Sequence, residues 1–334
     1  MRLKHQIPST DGRMEELKEK KTYFVAVTDS PAGDDLSVEK SVLADMRVEK
    51  VDWHDEASLI DAVHDADAIM CMHAPFNEAV IQSMRRCKVI TRFGTGLDNI
   101  DRKAAEAAGI PVVGIHDYCT EEVANHTLAM LLAWNRKIVE YHQFVGQKRW
   151  NEREQTTGIW GCGPISRLSG QTLGLLGFGC IGRAVAQRAV AFGMTVLAYR
   201  SPPDPSFAKQ LGVGLPGLEA LLGQSDYVSI HMPLTDETRH FINAETINLM
   251  KPGAVLINTS RGGLVDENAL VEALGAGRMG AALLDVYEHA PLPVDHPFRT
   301  LTNVIFTPHV GFYSEGAIQE LRRLTTKAVL RHLP

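Results

Sequence analysis

The chain has 334 residues, of which 45% are hydrophobic and 22% charged, an ordinary globular composition in a length that suggests two cores. A formal net charge of -6 gives no reason to expect nucleic acid or an anionic membrane as a partner. No apolar run reaches the roughly eighteen residues of a membrane span, and the longest, Leu128 to Trp134, reads as part of a core helix.

Met1 to Thr22 is polar, mixes both charge signs and lacks the apolar stretch of a secretory signal, so it reads as a frayed extension. Short apolar runs then alternate with helical patterns, the mark of parallel α/β architecture. Strands are expected at Tyr23–Thr28, Arg47–Val51, Ala68–Met72, Lys88–Thr91 and Pro111–Gly114. Helices are expected at Ala57–His64, Glu78–Cys87 and Asp101–Ala108, the last with Asp98 or Asn99 as cap and Gly109 as stop. One long helix is expected over Thr120–Gln147, opened by Glu121 and Glu122 and striped by Val123, Leu128, Leu131 and Leu132. Asn151–Arg167, with Trp160 inside it and Trp150 beside it, reads as an irregular connection or an oligomer contact.

A second series begins at Gln171. Strands are expected at Thr172–Leu176, Thr195–Ala198, Tyr227–His231, Ala254–Asn258, Gly280–Leu284 and Val304–Phe306. Helices are expected at Arg183–Phe192, Glu245–Met250 and Glu267–Leu274, and Ser314–His332 reads as a final amphipathic helix led by a serine cap. The cysteines, Cys71, Cys87, Cys119, Cys162 and Cys180, include no C-x-x-C pair and no zinc-finger spacing to histidine. Incidental thiols in a reducing cytoplasm are expected, with no disulfide and no metal site.

The turn Gly177-Phe178-Gly179-Cys180-Ile181-Gly182 stands between a buried strand and a helix of small apolar residues. In that context the first glycine permits a tight turn, the second lets backbone approach a pyrophosphate, and the third allows close helix–strand packing. The helix N-terminus supplies unpaired N–H groups for the phosphates. A site selecting NAD carries an acid at the end of the following strand, where this chain has Arg200 and Ser201. A guanidinium suits a 2′-phosphate, so NADP(H) is the expected preference. The alternative is an Arg200 that stacks on adenine, with NAD(H) used as well.

Three later segments end strands: Asn258-Thr259-Ser260-Arg261-Gly262-Gly263, Leu284-Asp285-Val286-Tyr287-Glu288, and Thr307-Pro308-His309-Val310-Gly311. Ligands of open α/β sheets bind outside the carboxyl ends of strands. Arg261 there can clamp a carboxylate, and His309 can exchange a proton with a carbonyl or alcohol. Singly, Arg261 is compatible with a surface turn and His309 with a structural histidine; their joint placement points to hydride transfer on a 2-oxo or 2-hydroxy acid.

These segments, with Arg92 to Asp101, Asp117 to His126 and Pro308 to Glu315, resemble the D-isomer-specific 2-hydroxyacid dehydrogenases, and within them the branch around the C-terminal binding proteins. The resemblance spans about residues 22 to 333. It implies two Rossmann-like or flavodoxin-like parallel-sheet domains, with a dinucleotide domain (117–310, including the long connecting helix) inserted in a split substrate domain (22–116 plus 311–334). It implies that Arg261 binds the substrate carboxylate and carbonyl, and that His309 is the general acid in reduction. Thr95 and Gly96 would touch substrate or nicotinamide, Asp285 the carboxamide, and Thr259 and Ser260 the nicotinamide side. His231, Met232 and Pro233, within a stretch reaching Thr235, would line the adenosine. Family members are usually homodimers through the dinucleotide domains.

One departure stands out. The family's carboxylate partner of the histidine falls at Ala290, before Pro291. Glu288, two residues earlier, is a candidate substitute, a surface glutamate being the alternative. The expected activity is NAD(P)H-dependent reduction of a 2-oxo acid to a D-2-hydroxy acid. The other reading is a dinucleotide-sensing, partner-binding protein with weak turnover. Side-chain specificity is expected from His73 to Phe76, Arg92 to Gly96 and Phe312.

Overall fold

The computed structural model describes residues 22–147, 165–199 and 206–333. Ile115–Leu321 form one compact unit, and the described residues up to Gly114 join those from Arg322 onward in the other. The chain thus returns to the first unit at Arg322, where the sequence expectation put the return at residue 311.

The first unit holds β1 (Phe24–Val27), α1 (Ser37–Val42), β2 (Arg47–Lys50), α2 (Glu56–Val63), β3 (Ala68–Cys71), α3 (Glu78–Ser83), β4 (Ile90–Arg92), α4 (Arg102–Ala107) and β5 (Val112–Gly114). Its sheet has the order β2-β1-β3-β4-β5, parallel throughout. Every residue of β3 is buried, as a central parallel strand covered on both faces requires. Asp55 and Ser58 form a capping box at α2. At α4 the cap is Asp101, whose carboxylate accepts from the amides of Lys103 and Ala104, and not Asp98 or Asn99. Asn99 instead donates to the carbonyl of Ala74 at 2.8 Å. Gly109, at φ +70°, ends that helix as expected. Within this unit Arg322 is buried against Glu39, with Nε–Oε1 and Nη2–Oε2 distances of 2.8 and 2.6 Å, and reaches Asp35 as well.

The second unit opens with α5 (Thr120–Asn135) and α6 (Ile138–Gly146). The single helix expected over Thr120–Gln147 is therefore broken, at Arg136-Lys137, where Lys137 takes φ +55°. Side-chain contacts hold that corner: Lys137 lies over the Trp134 ring and pairs with Glu140, and Asn135 donates to Ser166 O and Tyr227 Oη. The unit continues with β6 (Thr172–Leu176), α7 (Cys180–Ala191), β7 (Thr195–Tyr199), α8 (Ser206–Leu211), α9 (Leu218–Gln224) and β8 (Tyr227–Ile230). Then come α10 (Ala244–Leu249), β9 (Val255–Asn258), α11 (Glu267–Gly275), β10 (Ala281–Leu284), β11 (Val304–Phe306) and α12 (Glu315–Leu330), whose residues from Arg322 onward belong to the first unit. The helices α1, α8 and α9 are additional to those expected. Ser314 caps α12, its Oγ accepting from the Ala317 amide at 2.9 Å.

The six strands run parallel in the order β11-β10-β9-β8-β6-β7. From β6 the chain goes to β7 on one side and then returns to β8 on the other. The switch point between β6 and β8 opens a crevice at their carboxyl ends. Leu175, Val185, Ile257 and Leu283 belong to the core on one face of this sheet, and Leu176, Leu256, Leu264 and Leu284 to that on the other.

No helix among the described residues is long and apolar enough to cross a membrane, and none of their acidic, histidine and cysteine groups cluster as a metal site would. Cys71, Cys87, Cys119 and Cys180 are free; Cys162 lies outside the described residues. Burial pushes the thiols of Cys71, Cys87 and Cys119 up, the last to about 11.

Candidate functional site

The glycine turn sits at the switch point, and each glycine has its own reason. Gly177 takes φ +108°, and a Cβ on it would stand 2.3 Å from the carbonyl oxygen of His231. A Cβ on Gly182 would stand 2.4 Å from the Gly177 oxygen. Gly179 is exposed, with nothing within 4 Å of a Cβ position, so open space lies above the turn. It caps α7 without a side-chain bond, leaving the first N–H groups of the helix for a ligand. Phe178 contributes backbone only, because its ring is buried and packs on Phe207. Ile181 packs onto the core, and Cys180 is exposed with its thiol held above the usual range, first by the Asp117 carboxylate and then by burial.

His231 follows β8 on the other side of the crevice. Its amide donates to Leu176 O at 2.7 Å, and its Nε2 pairs with Ser229 Oγ at 2.9 Å. Its Nδ1 is buried and has no partner among the described residues. Burial pushes this imidazole down to about 4, so it is neutral near pH 7. An open glycine, an uncapped helix end and an unpaired imidazole nitrogen fit the diphosphate and adenosine portions of a dinucleotide. Met232 is buried and Pro233 exposed beside them. Arg200 and Ser201 lie outside the described residues, as do Trp150 and Trp160.

At the end of β9, Asn258 shapes the next turn: Oδ1 accepts from the Ser260 amide at 3.0 Å and Nδ2 donates to Arg261 O at 2.9 Å. Ser260 Oγ donates to Ile230 O, tying the turn to β8. The Thr259 hydroxyl pairs with that of Thr127 at 3.0 Å. Gly262 admits no side chain, since its Cβ position is 1.8 Å from the Tyr287 carbonyl carbon. The half-buried Arg261 leaves this turn in extended backbone, with Nη1 on Ser260 O at 2.8 Å.

The third turn, Thr307–Gly311, is built around Asp285. Oδ1 accepts from the Thr307 hydroxyl at 2.5 Å and the Val310 amide at 3.0 Å, and Oδ2 accepts from the Gly311 amide at 2.8 Å. The His309 amide donates to the backbone oxygen of Asp285 at 2.8 Å. Burial works to raise the Asp285 carboxyl, and hydrogen bonds from His126, Thr307, Val310 and Gly311 outweigh it and hold it below the usual range. At 1% exposure, Asp285 is bonded to this turn through both carboxylate oxygens. His309 itself is exposed, at φ +56°, with its ring edge-on to Phe312.

Glu288 does not replace the missing carboxylate. Its Oε1 is 2.8 Å from His240 Nε2, and its own amide donates to Glu267. Alternation along extended backbone fixes the face of the Glu288 side chain, and the tertiary fold brings His240 to it. Thr95 and Gly96 belong to the other unit, after β4, where Thr95 is exposed and its backbone oxygen closely approaches Gly114. Sequence reasoning missed His126, whose Nε2 is 3.0 Å from Thr307 Oγ1. The signal for it in the sequence is a histidine beside the apolar stripe of α5.

The D-isomer specific 2-hydroxyacid dehydrogenase, NAD binding domain, matches residues 128–311. A glyoxylate reductase of Korarchaeum cryptofilum is 40% identical over 287 residues, covering 84% of either chain. The crystal structure of D-lactate dehydrogenase from Aquifex aeolicus, complexed with NAD and lactic acid, superposes with a TM-score of 0.81 at 31% identity, covering 92% of this chain and 94% of that one. An acyclic imino acid reductase in complex with NADPH and D-Arg superposes with a TM-score of 0.82 at 28% identity, covering 93% and 98%. These relatives are reductases and a dehydrogenase, and they lend the corepressor branch no support.

Proposed function

The chain belongs to the D-isomer specific 2-hydroxyacid dehydrogenase family, and from that premise we propose that it reduces a small 2-oxo acid to the D-2-hydroxy acid with NAD(P)H. The observation that carries this is the gathering of three turns, at Gly177–Gly182, Ser260–Arg261 and Thr307–Gly311, on the carboxyl edge of one parallel sheet.

The amides opening α7 and the unpaired Nδ1 of His231 hold the dinucleotide. When bound, the reduced nicotinamide supplies a hydride to the carbonyl carbon. Arg261 pairs with the substrate carboxylate and draws electron density toward the carbonyl oxygen. His309, as imidazolium, gives its proton to that oxygen; in oxidation the neutral ring takes it back.

Arg200 and Ser201 support a preference for NADP(H) over NAD(H), because neither repels a 2′-phosphate. A homodimer in the cytoplasm accords with the family and with the free cysteines.

Ala290 favours a second reading, a dinucleotide sensor with little turnover. One experiment separates the two: turnover of a panel of 2-oxo acids with NADPH and with NADH. Turnover with NADPH supports the reductase. Tight NADPH binding with no turnover of any 2-oxo acid supports the sensor.

A further inference from the structure

His126 stands on α5 with its side chain 20% exposed. Its Nε2 lies 3.0 Å from Thr307 Oγ1 and 3.5 Å from Asp285 Oδ1. The hydroxyl hydrogen of Thr307 is given to Asp285, so the Thr307 oxygen accepts and His126 Nε2 carries the donated hydrogen. The same ring backs the end of the turn: its Cδ2 is 3.2 Å from the position a Cβ would take on Gly311.

The turn so held contains His309 at φ +56°, a left-handed conformation that an L-residue keeps only where its surroundings over-determine it. The Glu288 carboxylate is on His240, and the His309 ring is edge-on to Phe312. We infer that His126 is a positioning residue for His309, acting through Thr307 and Asp285 to hold the Thr307–Gly311 turn so that the imidazole meets the substrate carbonyl at one angle. This rests on the reading of His309 as the general acid. A small misplacement of such a group costs rate more than binding, since Arg261, on another turn, binds the carboxylate.

The test uses the whole protein with His126→Ala, His126→Gln, Thr307→Val and Thr307→Ser. The Gln and Ser variants keep a donor and a hydroxyl; the others remove them. His126→Ala and Thr307→Val should lower kcat for glyoxylate on the order of 10- to 100-fold, with KM and NADPH affinity little changed. His126→Gln and Thr307→Ser should restore most of the rate. Amide hydrogen exchange at Val310 and Gly311, which needs no turnover, should quicken in His126→Ala and not in His126→Gln. Unchanged exchange in His126→Ala, or equal impairment by Ala and Gln, overturns the inference. A native protein that turns over no 2-oxo acid overturns the reductase reading alone, because exchange still decides whether His126 holds the turn.

Discussion

Glu288 is bound to His240, carboxylate oxygen to Nε2 at 2.8 Å, across a glycine pair that follows Arg261. His240 sits at φ +49°, and its amide donates to Gly263 O at 2.9 Å. The pair joins the loop after β8 to the loop after β10 and leaves Glu288 uninvolved with His309. Glu288→Ala is therefore expected to leave the midpoints of the kcat/KM pH profile where they are. A shifted midpoint for the group assigned to His309 would return Glu288 to a proton-transfer role.

Arg261 leaves its turn half-buried, and its planar fork is what a carboxylate needs. Arg261→Gln is expected to lower kcat/KM for 2-oxo acids on the order of 100-fold or more, while NADPH affinity and melting temperature stay near native. Steady-state kinetics beside cofactor titration check this.

The glycines of the dinucleotide turn separate folding from binding. Gly177→Ala meets the His231 carbonyl at 2.3 Å and a positive φ, and is expected to destabilise by at least ~2 kcal/mol. A Cβ on Gly179 meets nothing within 4 Å, so Gly179→Ala should melt like the native protein, yet bind NADPH about ten-fold or more weakly. Thermal melts with and without NADPH distinguish the two.

His231 gives the protein an acid-side dependence with a defined sign. Its ordinary value of 6.5 falls to about 4 on burial, so between these limits the unfolded chain holds the extra proton. Its contribution is fully present above pH 6.5 and is lost as pH drops toward 4. Urea unfolding across that window should show the slope, and His231→Asn should flatten it. Asp285 acts lower: its folded value lies below the ordinary 3.8, so its contribution is present above 3.8 and lost beneath it.

Arg322 and Glu39 are 1% and 0% exposed and bonded through two nitrogens. Arg322→Ala leaves a buried carboxylate unpaired and is expected to cost about 3–5 kcal/mol. Replacing both residues by apolar ones of similar volume should recover most of it. Chemical denaturation of the single and double variants gives the comparison.

Most strands were legible because a parallel strand covered on both faces must be a short apolar run, as in Ala68–Cys71 and Val255–Asn258. The glycine turn was legible for a similar reason, since its three spacings each answer a steric demand visible along the chain. The helix break at Lys137 was not, because no glycine or proline marks it; contacts with Trp134 and Glu140 hold that corner.

The sequence by itself determined the α/β class, the dinucleotide turn and the identity of Arg261 and His309 as candidates, because local spacing and residue chemistry carry that information. Tertiary structure alone decided the partners. Glu288 went to His240, 48 residues away. His126 met Thr307 across 181 residues. Asp285 bonds to the Val310 and Gly311 amides of the turn after β11. A carboxylate or imidazole is satisfied by whatever the packing of distant strands brings within about 3 Å, and no spacing along the chain encodes that distance.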